Sequence, residues 1–356
     1  MSTPAPGQAP HRPVEAWAGI AMIVLTLAGW TSIPLFLRHF AKLHLDPWAV
    51  NGWRYTFSAL MWLPVLVWHW RRGTTPKGLW KAALWPSAFN SLAQVCFGLA
   101  PYYIDPGLMT FSLRLQVVFL MFGAAAFFPS ERRVVRSPLF IAGIALLLVG
   151  TMLTLWFKPG GLGEAKTEWG VVLAVSSGVL YAAYALCVRK FMHGIPALTA
   201  FSAVSQYTGA ALLLAMLCVS KDHGASILQL NAGLLFQLAL SAIIGIGIGH
   251  TLYYASIQRL GLAVSSGVVQ LQPVTVSIGA MLLFGEALTG LQWVTGMGAI
   301  CGAVLMLTAQ QVVARRVSQE INSQSSCVQC GHNRGSIPGA ETACPTCGAA
   351  MVSPSS

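Results

Sequence analysis

Ten apolar runs follow one another along the chain, at 16–37, 48–70, 82–104, 107–128 and 139–157, then at 170–188, 197–219, 234–257, 262–284 and 293–313. Each is long enough to carry a helix across a bilayer core, which takes about 20 residues. None has the charged outer face that a soluble helical bundle turns to water. The breaks between runs carry charge and turn formers, as in Arg71-Arg72-Gly73, Asp105-Pro106, Arg132-Arg133, Lys158-Pro159-Gly160-Gly161 and Lys221-Asp222. No interval leaves room for a soluble domain. The pattern predicts an all-α membrane protein with ten transmembrane helices.

Composition agrees. Hydrophobic residues make up 55% of the chain and charged residues 9%, against roughly 25% charged in soluble domains. A net charge of +11 would suggest nucleic acid if it gathered on one solvated face. Here the basic residues sit in short groups between apolar runs, where the bilayer explains them and nucleic-acid binding by the main body is excluded.

With the N-terminus inside, fourteen of the 21 Lys and Arg residues fall on the cytoplasmic side, five fall outside, and Arg54 and Arg114 fall within spans. This bias predicts a protein of the cytoplasmic (inner) membrane with both termini in the cytoplasm. The stretch from Met1 to Arg12 is polar and proline-rich, and the first run is too long for a signal-peptide core, so no cleaved leader is expected.

The second half of the chain repeats the first. A shift of 151 residues places Gly19 on Gly170, Trp30 on Tyr181, Arg38 on Arg189 and Tyr102-Tyr103 on Tyr253-Tyr254. A shift of 152 pairs Arg54-Tyr55-Thr56 with Gln206-Tyr207-Thr208. Further on, Arg114-Leu115-Gln116-Val117-Val118 answers Gln270-Leu271-Gln272-Pro273-Val274, and Phe128-Pro129-Ser130-Glu131 answers Phe284-Gly285-Glu286. Five spans per half is an odd number, so the second half is expected upside down relative to the first. Inverted repeats are the architecture of alternating-access transporters, with the substrate near the midplane.

The segments predicted are therefore an N-terminal tail (1–14), a first five-helix repeat (15–157), an external linker (158–169) and a second five-helix repeat (170–314). A cytoplasmic linker (315–326), a cysteine-bearing tail (327–348) and a disordered end (349–356) follow.

Gly261-Leu262-Ala263, Val269-Gln270-Leu271-Gln272-Pro273-Val274 and Phe284-Gly285-Glu286-Ala287-Leu288-Thr289 resemble the ninth-span signature of EamA-type transporters in the drug/metabolite transporter superfamily. Gly296, Gly298 and Gly302 in the tenth run, with Arg54, Trp30 and Tyr181, fit the same pattern. The resemblance covers roughly 15–313 and is better in the second half. It implies ten spans, cytoplasmic termini and movement of amino acids, nucleobases, sugars, cations or related metabolites. Val117 stands where Pro273 does in the second half, so the kink that the resemblance implies for the first-half helix lacks its proline.

Polar residues inside spans are the candidate substrate site, since burying them in a bilayer is costly. Arg54 and Arg114 could clamp a carboxylate or phosphate through the planar guanidinium fork; they could equally reach the outer headgroups or pair with Asp105. Gln116, Gln206, Gln270 and Gln272 offer amides that both donate and accept, as do Asn90 and Gln94. Trp30, Tyr102, Tyr181 and Tyr253 could form aromatic walls, or serve as interfacial and packing residues. His250 is the one in-span group whose ordinary pKa lies near neutrality, and hence the candidate proton carrier if transport is proton-coupled; a packing role is the alternative. The loops hold no cluster of nucleophile, acid and base, so an enzyme is not expected.

The eight cysteines divide in two. Cys96, Cys187, Cys218 and Cys301 lie singly in apolar runs as small fillers. Cys327-Val328-Gln329-Cys330-Gly331 and Cys344-Pro345-Thr346-Cys347-Gly348 form two knuckles thirteen residues apart, the spacing of a zinc ribbon with Cys327, Cys330, Cys344 and Cys347 as ligands to a structural zinc. A cytoplasmic tail disfavours disulfides. The expected function is secondary transport of a small polar metabolite (amino-acid-like, nucleobase-like or organic anion), as export. The alternative is a membrane-embedded sensor or scaffold whose zinc tail recruits a protein partner.

Overall fold

The computed structural model describes residues 13–128, 131–159 and 165–324, and among these the regular structure is entirely helical. Helix α1 (Pro13–Lys42) is followed by α2 (Pro47–Arg71) and α3 (Leu79–Leu99), which ends in a 3-10 turn at Ala100–Tyr102. Two short helices, α4 (Pro106–Leu113) and α5 (Gln116–Phe127), share one span, and α6 (Arg132–Val135) leads into α7 (Pro138–Trp156). The second half opens with α8 (Ala165–Phe191) and α9 (Ala197–Val219), then the single turn α10 (Ala225–Leu228) and α11 (Ala232–Ala242). A π-helical stretch, Ile243–Ile248, joins α11 to α12 (Gly249–Val269), and α13 (Gln272–Phe284) and α14 (Gly290–Gln324) complete the chain.

Local chemistry starts these helices. Asp46-Pro47, Asp105-Pro106 and Ser137-Pro138 each place a capping side chain before a proline at the first helical position, where the missing N–H costs nothing. The three caps accept hydrogen bonds from Trp48 (2.9 Å), Leu108 (2.8 Å) and Phe140 (3.2 Å) backbone N–H groups.

Helix α12 folds back on itself. Ser256 and Ser265 would stand about 13 Å apart along a straight helix, yet their hydroxyls meet at 3.0 Å.

Eight helical segments are long and apolar enough to cross a membrane: Trp17–Lys42, Pro106–Phe127, Pro138–Trp156, Lys166–Phe191, Ala197–Val219, Ala232–Ile257, Val264–Phe284 and Gly290–Arg316. Of the ten runs expected, α2 and α3 fall short of that apolarity, although they have 25 and 21 residues. The reason is the polar load they bury: Asn51, Arg54 and Ser58 on α2, Ser87 and Asn90 on α3. Their outward sides carry Leu60, Trp70, Leu84, Trp85 and Leu92, all exposed.

Side-chain bonds between helix ends set their polarity. The C-terminal ends of α1, α3 and α13 meet where Arg38 binds Glu286 and the Pro101 carbonyl. The start of α2 joins the end of α9 through Ser220 and Asp46, and Lys158 after α7 reaches Thr167 on α8. This end is the far face. At the opposite, terminal face, which holds the start of α1 and the end of α14, His69 contacts Thr199 and Arg189 binds Glu131. Within the bundle α7 packs on α14, α2 on α9, α3 on α8, α1 on α12 and α4 on α13. The α7–α14 backbones touch: a Cβ added at Gly150 would lie 2.6 Å from the Ala299 nitrogen, the close approach that small residues allow between helices in lipid.

Candidate functional site

Two helices break near mid-depth. Between α4 and α5 the bonding tightens to i→i+3, with Arg114 N–H donating to the Phe111 carbonyl (3.1 Å) and Leu115 N–H to that of Ser112 (3.2 Å). Between α12 and α13 the same tightening joins Gln270 N–H to the Gly267 carbonyl (3.1 Å) and Leu271 N–H to that of Val268 (3.0 Å). Pro273 accounts for the second break, because it has no N–H to continue the ladder. The first half, where Val117 takes the proline's place, breaks as well, without one. At this break α8 packs closely: a Cβ at Gly178 would meet the Leu113 carbonyl at 3.1 Å and the Gln116 nitrogen at 3.3 Å.

The breaks bring Arg114 and Gln116 opposite Gln270 and Gln272. Arg114 donates through Nη2 to Gln272 Oε1 and through Nη1 to Gln270 Oε1 at 3.4 Å. Gln272 in turn donates from Nε2 to the Trp30 carbonyl at 2.7 Å, tying α13 to α1. The Nε of Arg114 is buried with no partner among the described residues. Arg54, from α2, is 1% exposed and donates from Nε to Ser241 Oγ at 2.9 Å, while Ser241 donates on to the Leu238 carbonyl. Neither guanidinium forms a salt bridge among the described residues. The Arg54 burial leaves it out of reach of the headgroups, and Asp105 caps α4 at the far face instead of pairing with either arginine.

These groups surround a cavity of about 400 Å³. Trp30, Gln116, Tyr181, His250 and Tyr253 line it together with Arg54, Arg114, Gln270 and Gln272. The Trp30 ring lies 5.2 Å from His250 and 5.1 Å from Tyr253, and the Phe201 ring lies 4.8 Å from His250. Two expected residues stand elsewhere. Gln206 is outside this wall, its amide donating to the Ala59 carbonyl at 2.8 Å, and Tyr102 lines a separate far-face pocket beside Arg38, Asp105 and Glu286. Asn90 and Gln94 do line the cavity, as do Ser205, Ser266 and Gln310, which sequence reasoning did not single out.

The π-helical stretch was also missed. Its signal is the alternation Gly245, Gly247, Gly249 just before His250. A Cβ at Gly249 would lie 2.6 Å from Trp30 Nε1, so the absent side chain is what lets the indole seat against His250. Single π turns inside helices often mark functional positions.

The cavity runs toward the terminal face, where Leu307 and Gln310 of α14 line it. Toward the far face it stops at a packed cluster including Ile33, Leu37, Phe40, Ile104 and Leu108. Beyond that cluster Arg38 grips Glu286 with contacts of 2.7, 3.0 and 3.2 Å, and Lys42 adds one of 3.0 Å. Burial in this pocket raises the Asp105 carboxyl above its ordinary range, against the pull of its bond from Leu108 N–H. At the terminal face Arg189 pairs with Glu131 at 2.9 Å and stacks on Phe128, 4.1 Å from ring centre. The far-face partners are 20% and 17% exposed, the terminal-face partners 46% and 14%.

Cys96, Cys187, Cys218 and Cys301 are free thiols. The four tail cysteines lie outside the described residues, and among the described residues no group of three metal-ligating side chains gathers.

Residues 168–308 match the model of the EamA-like transporter family. No curated protein matches the chain. Among solved structures 22 chains match, one of them a crystal structure with a TM-score of 0.51 and 18% identity, covering 87% of this chain and 99% of that one. That likeness carries the fold. The chain is an integral membrane protein with an EamA-like transporter domain at 168–308.

Proposed function

We propose that this protein is a secondary transporter, not an enzyme, which exports a small polar metabolite by alternating access of two inverted five-helix halves. Its substrate would sit in the central cavity. The observation that carries this reading is the pair of helix breaks that face one another there, joined by Arg114, Gln270 and Gln272. Discontinuous helices at corresponding positions of two repeats are the pointer to a transport site.

Other features support it. The sequence mates Arg38 and Arg189, and Glu286 and Glu131, are paired crosswise, each arginine holding the glutamate of the other half. The packing of α3 on α8 and of α1 on α12 is likewise one contact made twice under the repeat. The outward apolar faces of α2 and α3 suit them as two further spans beside the eight. A cavity closed toward the far face suits loading from the cytoplasm, with both termini on that side of the inner membrane.

Proteoliposomes preloaded with a panel of labelled amino acids, nucleobases and organic anions test the reading. Efflux of at least one solute, reduced by Arg114→Ala and by Gln272→Ala, is the expected result; no efflux across the panel refutes it.

The spacing of Cys327, Cys330, Cys344 and Cys347 supports a structural zinc in the tail, which has too little core to fold without metal. Elemental analysis should return one zinc per chain, lost in Cys344→Ser/Cys347→Ser. Deleting the tail after Arg316 should leave transport intact. Loss of a cellular phenotype on that deletion, with no solute moved by the full chain, would favour a sensor or scaffold that recruits a protein partner.

A further inference from the structure

Among the described residues the cavity wall contains two arginines and no acid. Resting on the transport reading, we infer that its substrate is a small organic anion that carries no ammonium group: a carboxylate on a neutral body, rather than an amino acid or an amine.

Arg54 and Arg114 line the cavity, and none of its lining residues is an Asp or Glu. An isolated buried cation is strongly unfavourable unless it is paired. Among the described residues the remaining carboxylates are engaged or lie at the ends of helices. Glu286 is held by Arg38 and Lys42, Glu131 by Arg189. Asp105 caps α4, Asp46 caps α2 and takes the Ser220 hydroxyl, and Asp222 accepts from the Gly224 and Ser226 backbone. Glu168 belongs to the first turn of α8. Among the described residues no acid is therefore placed to neutralise the two guanidiniums, and the counter-charge arrives with the substrate.

Arg54 uses only its Nε on a described partner, and Arg114 spends its two bonds on neutral amide oxygens while its Nε has none. Charge-assisted bonds to a carboxylate are shorter and stronger than these, and the guanidinium fork fits that group in two-point contact. Nothing equivalent awaits a cation. An α-ammonium would find only amides, hydroxyls and aromatic faces, beside two fixed positive charges that repel it. The aromatic side formed by Trp30, Phe201 and Tyr253 accepts a planar, uncharged body.

Matched solutes test the inference on the full-length protein in lipid nanodiscs and in proteoliposomes. The pairs are 3-phenylpropionate against phenylalanine and phenethylamine, and 2-oxoglutarate against glutamate. The two anions should raise the melting temperature and exchange across the membrane, and their amine-bearing counterparts should do neither. Arg114→Gln should weaken the anion response about ten- to hundredfold, the loss of one charge-assisted bond. Arg54→Lys, which keeps the charge and loses the fork, tests the same point where Arg54→Gln fails to fold.

Equal or better binding of phenylalanine, glutamate or phenethylamine overturns the substrate class while leaving transport standing. Binding of an anion that survives Arg114→Gln and Arg54→Lys unchanged overturns the site. Binding of none of the five solutes at millimolar concentration overturns the class as well, and the wider efflux panel then decides transport separately.

Discussion

Replacing Glu286 by Gln should loosen the far face by a predictable amount. The carboxylate receives three contacts from Arg38, at 2.7, 3.0 and 3.2 Å, and one from Lys42 at 3.0 Å. Removing one partner of a fully buried pair costs about 3–5 kcal/mol, whereas an exposed pair is worth about 0.2–1 kcal/mol. With side chains 20% and 17% exposed, the far-face pair falls between, at about 2 kcal/mol, or about a 30-fold shift in an open-to-closed ratio. Arg38 keeps its bond to the Pro101 carbonyl (2.6 Å), so the arginine itself stays in place. Hydrogen exchange followed by mass spectrometry reads the opening directly, because exchange of protected amides tracks the open population. Amides of α4 and of the last turns of α1 should exchange about 30-fold faster in Glu286→Gln. The corresponding Glu131→Gln, whose arginine partner is 46% exposed, should speed terminal-face exchange only about twofold. Unchanged exchange at the far face, or equal acceleration at both faces, would refute the idea that Glu286 holds that end closed.

Gln272→Leu strands an Arg114 donor and the Trp30 carbonyl; at about 1–3 kcal/mol for each unmet group, thermal unfolding in detergent should show a loss of roughly 2–6 kcal/mol. Combining it with Arg114→Leu should lose less than the sum of the single changes, and strict additivity would deny the coupling. Gly249→Ala forces a Cβ to within 2.6 Å of Trp30 Nε1 and should destabilise by about 1–3 kcal/mol, while Gly290→Ala, with nothing within 4 Å, should leave the melting point unchanged. Burial raises the Asp105 carboxyl, so its ionisation opposes folding: wild-type stability should fall as pH rises from about 4, the unfolded value, through the higher folded value. Asp105→Asn retains an acceptor for Leu108 N–H and should lack that slope in melts across pH 4–8; an identical slope in the variant would assign it to another group.

Hydropathy made most of the bundle legible, because eight segments are apolar throughout. The two weaker ones, α2 and α3, were still readable from their length and from the basic turns that flank them. The polar residues within apolar runs led to Arg54, Arg114, Gln116, Gln270, Gln272 and His250, all in the cavity wall. Gln206 and Tyr102 carried the same signal and lie elsewhere. One spends its amide on the Ala59 carbonyl, and the other stands beyond the packed cluster at the far face. A polar side chain inside a span reports that some partner exists, and only tertiary structure decides whether that partner is a backbone carbonyl or a cavity. The break at Arg114-Leu115 was hidden for a related reason: no proline marks it, and the glycine packed against it, Gly178, lies on another helix.

The acid-free wall has a consequence for energetics. With the terminal face in the cytoplasm as proposed, the insulating layer in this structure is the packed cluster around Leu37 and Leu108, and the electric field of the membrane falls mainly across it. Arg54 and Arg114 then stand near the interior potential, and turning the cavity outward would carry both through that field. At about 2.3 kcal/mol per charge per 100 mV, an interior-negative voltage of 100 mV holds the empty carrier facing in by up to about 5 kcal/mol. A bound anion cancels part of the charge and weakens that hold. Efflux should therefore slow when a potassium ionophore clamps the voltage to zero, and voltage-independent efflux would count against it. Two arginines with no counter-ion among the described residues would let the membrane potential reset the carrier, with no coupling ion required.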